Sequence, residues 1–67
     1  MIFLDPPYDQ AGVLWGRMAR RLRGWIAAGG VLVIETDRRT ELELQAEWVL
    51  AETREYGAAR FHFWTPA

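Results

Sequence analysis

The sequence predicts an α/β fold in which a βαβ unit is followed by an antiparallel β-hairpin. Three observations support this: two short apolar runs without polar alternation, a stretch of helical periodicity between them, and two aromatic and β-branched runs around a glycine. Apolar strands without alternation are typical of parallel sheets. A strand, a helix and a strand in this order join by a right-handed crossover.

The first strand is predicted at residues 2–4, a continuous apolar run that stops at Asp5. Pro6 and Pro7 follow, and because proline has no backbone N–H the strand cannot continue through them.

An amphipathic helix is predicted over residues 13–26, because its apolar residues recur at helical spacing. The apolar positions are Leu14, Trp15, Met18, Leu22, Trp25 and Ile26. Arginines project to the other side, at Arg17, Arg20, Arg21 and Arg23. We expect Trp15 and Trp25 to be core residues and the arginines to form a solvated face, with contact to RNA as the alternative.

A second strand is predicted at residues 31–34, after Gly29-Gly30 and before Glu35. Residues 37–47 fit strand alternation and a short helical turn equally well. The runs 48–56 and 59–65 predict a hairpin around Gly57. We expect His62 to alternate with neighbours on one strand face without a catalytic role, and Trp48 and Trp64 to face a region outside the chain.

The amino-acid composition excludes several classes of fold and function. The chain has 67 residues, of which 51% are hydrophobic, so it is one small globular domain or part of one. It has no cysteine, which excludes disulfides, thiolate zinc sites and thiol catalysis, and its single histidine excludes a His-rich metal cluster. No apolar stretch reaches the roughly 18 residues of a spanning helix, and no export signal is visible, so we expect a cytoplasmic protein.

The run Asp5-Pro6-Pro7-Tyr8 directly follows a strand, where ligands of α/β sheets bind. A carboxylate and a free proline carbonyl can accept both N–H bonds of an exocyclic amino group, while an aromatic ring stacks on the base. Such an amine is a poor nucleophile, and holding both hydrogens favours the pyramidal geometry in which it can attack. The alternative is a simple strand-terminating turn.

The segment 2–8 resembles motif IV of the S-adenosylmethionine-dependent amino-methyltransferases. Segments 31–37 and 54–57, followed by Phe61-His62-Phe63, are similar to the bacterial 16S ribosomal RNA guanine-N2 methyltransferases, the RsmD-like group. The resemblance covers nearly the whole chain and implies the C-terminal half of a Rossmann-like class I methyltransferase sheet. The four-residue motif also occurs in enzymes acting on adenine N6 and cytosine N4, so it specifies the reaction better than the base.

The resemblance implies catalytic roles for Asp5, Pro6 and Tyr8. Asp5 would bind the amino group, Pro6 would offer its carbonyl, Pro7 would stiffen the loop, and Tyr8 would stack on a flipped guanine. All four would contact the substrate, and Glu35 and Asp37 would flank the site. The methyl donor would be S-adenosylmethionine, and the partner would be 16S ribosomal RNA or a small-subunit assembly intermediate, with no membrane.

The family's glycine-rich cofactor loop has no counterpart before Asp5, and Gly29-Gly30 enters a strand instead of opening a helix. We therefore expect residues 1–67 to be a partial methyltransferase domain, from motif IV onward, with most of the cofactor site outside it and no activity alone. An open strand edge and an uncovered sheet face predict that the isolated chain self-associates or is marginally folded. The alternatives are a fragment of a DNA adenine-N6 or cytosine-N4 methyltransferase, or a non-enzymatic α/β interaction module.

Overall fold

The chain folds into a four-stranded sheet with one helix packed on one face. The computed structural model describes residues 1–67 except for the side chain of Tyr8. In chain order the elements are β1 (Ile2–Leu4), a 3₁₀ helix (Tyr8–Gln10), α1 (Ala11–Arg23), β2 (Leu32–Asp37), β3 (Trp48–Tyr56) and β4 (Ala59–Pro66). The predicted α/β class is confirmed.

The sheet order is β1-β2-β4-β3. Strands β1 and β2 are parallel, and β4 pairs antiparallel with both β2 and β3. The predicted βαβ unit and hairpin are therefore both present. Strand β2 continues past Glu35 to Asp37, because Thr36 and Asp37 pair with Arg60 and Ala59 of β4. The apolar run alone could not reveal that pairing.

Helix α1 ends three residues earlier than its periodicity suggests, at Arg23. The N–H of Gly24 donates to the carbonyl of Arg21 over 3.0 Å, which closes the last turn. The chain then leaves the helical path, so Trp25 is 74% exposed and its predicted place in the core is wrong. Ile26 is still buried.

Three indoles form the centre of the core between α1 and the sheet. The Trp15 ring lies 4.6 Å from Trp64 and 6.0 Å from Trp48. Trp48 Nε1 donates to the carbonyl of Ala19 in α1 over 2.7 Å, and Trp15 Nε1 donates to the carbonyl of Glu43 over 2.7 Å. Trp48 and Trp64 are 4% and 0% exposed, so the expectation that they face outward is wrong.

Residues 38–47 form neither a helix nor a strand, and Leu42 packs from this loop into the core. The hairpin turn is Gly57-Ala58, between the paired residues Tyr56 and Ala59. Gly57 has φ of 58°, and a positive φ at the first of two turn residues is the geometry of a type II′ turn.

The second face of the sheet is aromatic and is not covered by any element of the described chain. Phe3 lies 6.3 Å from Phe61, Phe61 lies 5.7 Å from Tyr56, and Arg54 stacks over Phe63 at 5.4 Å. Phe3 is 52% exposed and Tyr56 is 59% exposed. The prediction that the helix covers one face only is confirmed. Within the described residues no helix has both the length and the apolarity needed to cross a bilayer.

Candidate functional site

A cleft opens where β1 and β2 end, as the topology of parallel strands predicts. Its volume is about 410 Å³, and it is lined by Asp5, Pro6, Pro7, Glu35 and Thr36. Leu4 pairs with Ile34 at the end of β1, and the residues that follow this pair, Asp5 and Glu35, both line the cleft. The structure thus brings together three of the four motif residues and one predicted flanking residue.

Hydrogen-bond acceptors dominate this cleft. Asp5 is exposed and Glu35 is half-buried, and no donor among the described groups reaches either carboxylate. The Pro7 carbonyl already accepts the N–H of Gln10 over 3.0 Å, but no described donor reaches the Pro6 carbonyl. Within the described part of the chain, two carboxylates and one carbonyl can therefore accept N–H groups of a ligand.

The loop that carries these acceptors is stiff. Pro6 and Pro7 fix two φ angles, and the Gln10 bond closes the 3₁₀ turn that leads into α1. The predicted stacking of Tyr8 concerns a side chain that lies outside the described residues.

Asp37 lies at the end of β2 but does not join the cleft. Its Oδ1 accepts bonds from Thr40 Oγ1 at 2.7 Å, Thr40 N at 2.9 Å and Arg39 N at 3.1 Å. The Thr40 hydroxyl is the main reason that the pKa of Asp37 is lowered. Asp37 closes the turn after β2, so Glu35 alone of the two predicted flanking residues lines the cleft.

One residue of the cleft lining, Thr36, belongs to a buried polar pair. Thr36 and His62 are 2% and 3% exposed, and Thr36 Oγ1 lies 2.8 Å from His62 Nε2. Because Thr36 Oγ1 donates its single proton to the carbonyl of Asp37 over 2.8 Å, His62 Nε2 must carry the proton that bridges the pair. Burial, and then the charge of Arg60, lower the pKa of His62, which favours its neutral form.

The pairing of Thr36 with His62 was missed by sequence reasoning, which treated His62 as an isolated residue of its strand. The signal was a threonine two residues after the apolar run 31–34 and a histidine in the neighbouring predicted strand. Among the described residues of the cleft, His62 forms a hydrogen bond to Thr36 only, so it positions that residue.

A network of ion pairs fixes the loop after β2 to the hairpin. Arg60 binds Glu55 at 2.7 Å and Glu41 at 3.0 Å, and Arg38 binds Glu55 at 2.8 Å. The hydrogen bond from Arg60, followed by that from Arg38, lowers the pKa of Glu55. The network therefore connects the loop after β2 with β3 and β4, and none of its residues lines the cleft.

A second cleft of about 210 Å³ lies between α1 and β1. Its lining is Leu4, Pro6, Ala11, Leu14, Trp15, Met18, Leu22 and Ile34. It offers apolar surface without charged side chains, so it belongs to the packing of the helix and is not a polar binding site.

The described residues do not by themselves fit S-adenosylmethionine. They contain no strand, glycine-rich turn and helix in succession that could hold its methionine and adenosine parts, since the helical glycines Gly12 and Gly16 lie inside α1. No three His, Asp or Glu side chains of the described residues cluster closely enough to hold a metal ion.

Comparison with known proteins places the whole chain in context. The sequence profile of the family described as conserved hypothetical protein 95 matches residues 1–65. No match is found among curated proteins.

Three solved structures share the fold. A conserved hypothetical protein from Streptococcus pyogenes is 23% identical with a TM-score of 0.74, and the match covers 97% of this chain and 41% of that one. A Haemophilus influenzae protein assigned as a methylase is 21% identical with a TM-score of 0.70, covering 96% and 40%. An Escherichia coli protein assigned as a methyltransferase is 21% identical with a TM-score of 0.64, covering 96% and 35%.

The chain therefore spans about two fifths of the length of these structures. At this identity the likeness shows the fold alone, and it confirms the predicted α/β sheet.

Proposed function

Because the chain belongs to the conserved hypothetical protein 95 family, we propose that it carries the base-binding loop of an S-adenosylmethionine-dependent RNA methyltransferase. The substrate group would be the exocyclic N2 amino group of a guanine in 16S ribosomal RNA. S-adenosylmethionine would supply the methyl group, held mainly by a part of the fold outside residues 1–67. These residues alone would then be inactive.

The observation that carries the choice of guanine is the second free carboxylate, Glu35, beside Asp5. The base-pairing edge of guanine carries a ring N–H next to its amino group, so it offers donors to both carboxylates of the cleft. Adenine and cytosine instead present a ring nitrogen acceptor next to the amino group. An acceptor facing Glu35 would be repelled.

The roles of the chain's own residues follow from this arrangement. Asp5 and the Pro6 carbonyl accept the two N–H bonds of the amino group, which frees the nitrogen lone pair for attack. Glu35 accepts the ring N–H and orients the base. Pro7 fixes the loop through its bond from Gln10, and Tyr8 stacks on the base.

A calorimetric titration with four nucleotides tests this assignment: guanosine, inosine, adenosine and cytidine 5′-monophosphates. Inosine lacks only the N2 amino group of guanosine. We expect guanosine monophosphate to bind most tightly, inosine monophosphate to bind about tenfold more weakly, and the other two not to saturate, since one charge-assisted hydrogen bond contributes about 1.5 kcal/mol or more.

Glu35→Gln is the variant that separates guanine from its competitors. A glutamine amide can donate to the ring nitrogen of adenine or cytosine, so this variant should lose most of the preference for guanosine monophosphate. Glu43→Gln is the matched control, because Glu43 is exposed and lies outside the cleft lining.

The outcomes distinguish the alternatives. Preferential binding of adenosine or cytidine monophosphate would favour a DNA adenine-N6 or cytosine-N4 methyltransferase. Absence of binding by all four nucleotides would contradict the proposal and favour a non-enzymatic interaction module, in which Asp5 is a turn residue only.

A further inference from the structure

We propose that the outward face of α1 is an RNA-binding surface, on which Arg17, Arg20 and Arg21 hold the sugar–phosphate backbone of the substrate strand. We call these three residues the arginine face. This inference rests on the proposed function, and it assigns the chain a second contact with RNA, remote from the base cleft.

The arginines of α1 differ from those of the hairpin region in their partners. Arg17, Arg20 and Arg21 are exposed and form no ion pair with any described residue. By contrast, three of the four arginines in residues 32–67 pair with a glutamate, namely Arg38, Arg54 and Arg60. The positive charge of α1 is therefore not used within the described fold.

The charge of the chain is also divided unevenly. Residues 1–31 contain four arginines against Asp5 and Asp9, a formal charge of +2. Residues 32–67 contain four arginines against seven acidic residues, a formal charge of −3. The net charge of −1 is therefore the sum of a positive segment, which contains α1, and a negative remainder of the chain.

Helix stability does not explain the arginine face. Arg17 is three and four residues from Arg20 and Arg21, and like charges at these spacings repel on a helix. Arg20 and Arg21 lie in the last turn, where the helix dipole favours positive charge, but Arg17 lies before that turn. Arginine side chains that repel one another and lack internal partners indicate an external anion.

The position of α1 relative to the base cleft indicates which anion it is. The helix begins directly after the 3₁₀ turn that closes the cleft loop. Arg17 and Arg21 lie six and ten residues beyond Ala11, about 9 Å and 15 Å along the helix at roughly 1.5 Å per residue. A strand that places a base in the cleft can reach this face with its neighbouring nucleotides, and guanidinium groups bind phosphates in a bidentate manner.

Binding of a fluorescein-labelled single-stranded RNA of about 12 nucleotides to the 67-residue chain tests the inference. The test variant is the triple substitution Arg17→Gln, Arg20→Gln and Arg21→Gln. The matched control is Arg38→Gln, Arg39→Gln and Arg54→Gln, which removes the same charge elsewhere. A third variant, with lysine at 17, 20 and 21, retains the charge. Circular dichroism verifies that each variant is folded.

We expect the α1 triple variant to bind RNA at least about tenfold more weakly at about 50 mM salt. The slope of log Kd against log salt should fall by about 2, because each phosphate contact on a single strand contributes roughly 0.7. The control triple should change the affinity less than about threefold, and the lysine variant should keep most of the slope.

Equal weakening by both triples would overturn the inference, since it would show an effect of net charge alone. Absence of RNA binding by the unmodified chain would overturn it as well. An α1 triple variant that binds RNA normally but loses self-association in sedimentation would identify a protein contact instead. Guanosine monophosphate titrations of the same variants separate the two proposals, because the arginine face lies outside the cleft and its loss should leave nucleotide binding unchanged.

Discussion

The substitution Asp5→Asn separates the role of the cleft from the stability of the fold. The side chain keeps its shape but loses its charge, and one acceptor oxygen becomes an amide donor. Asp5 is exposed and accepts no bond from a described group. We therefore expect the free energy of unfolding to change by no more than about 0.5 kcal/mol.

The effect on nucleotide binding should be much larger. A hydrogen bond to a charged group contributes about 1.5–3 kcal/mol, and the exposure of Asp5 places this contact near the lower value. A loss of about 1.5 kcal/mol weakens guanosine monophosphate roughly tenfold. Inosine monophosphate, which has no amino group for Asp5 to bind, should be almost unaffected.

Calorimetric titration of both proteins with both nucleotides forms a double-mutant cycle. The reasoning predicts a coupling of about 1.5 kcal/mol between the Asp5 carboxylate and the N2 amino group. A coupling near zero would refute it, because the carboxylate would then not contact the amino group. A large drop in melting temperature would refute the view of Asp5 as a residue without structural partners.

Three further predictions concern the fold. In urea unfolding, Trp48→Phe should lower the free energy of unfolding by about 2 kcal/mol more than Trp64→Phe does. Trp48→Phe loses the hydrogen bond to the Ala19 carbonyl, whereas Trp64→Phe removes a buried N–H that has no partner among the described groups. Equal losses would contradict this prediction. Because the pKa of His62 is lowered in the folded chain, the contribution of His62 to stability is present above the ordinary pKa of 6.5 and is lost as the pH falls below that value. The urea midpoint should therefore decrease in that pH range, and the decrease should be much smaller in His62→Gln. An unchanged slope in His62→Gln would assign the effect to other groups. The open β1 edge and the aromatic face should cause concentration-dependent self-association in sedimentation velocity, and a monodisperse monomer with a sharp thermal transition would contradict this.

Local sequence pattern was sufficient for the order of elements, because each strand is a distinct apolar or aromatic run and the helix has its own periodicity. It failed where a neighbouring element decides the outcome. Trp25 continues the helical stripe in sequence, but α1 ends at Arg23 and the residue turns to solvent. Strand β2 reaches Asp37 only because β4 supplies partners for it.

The same limit applies to the site. The rule that ligands bind at the carboxyl ends of parallel strands was enough to place Asp5 beside Glu35. It could not show that the Asp37 carboxylate accepts a hydrogen bond from Thr40 or that His62 is hydrogen-bonded to Thr36, because both depend on side-chain contacts. The resemblance to the RsmD-like group, drawn from short segments, is confirmed at the level of the family.

The central claim is that residues 1–67 hold the base and leave the methyl donor to another part of the fold. A calorimetric titration of the 67-residue chain with S-adenosylmethionine tests it most directly, with guanosine monophosphate as the positive control and Asp5→Ala as the site variant. The account predicts no saturable heat with S-adenosylmethionine under conditions in which guanosine monophosphate binds. Saturable binding of S-adenosylmethionine that Asp5→Ala abolishes would contradict it, because the cofactor site would then be formed by these residues themselves.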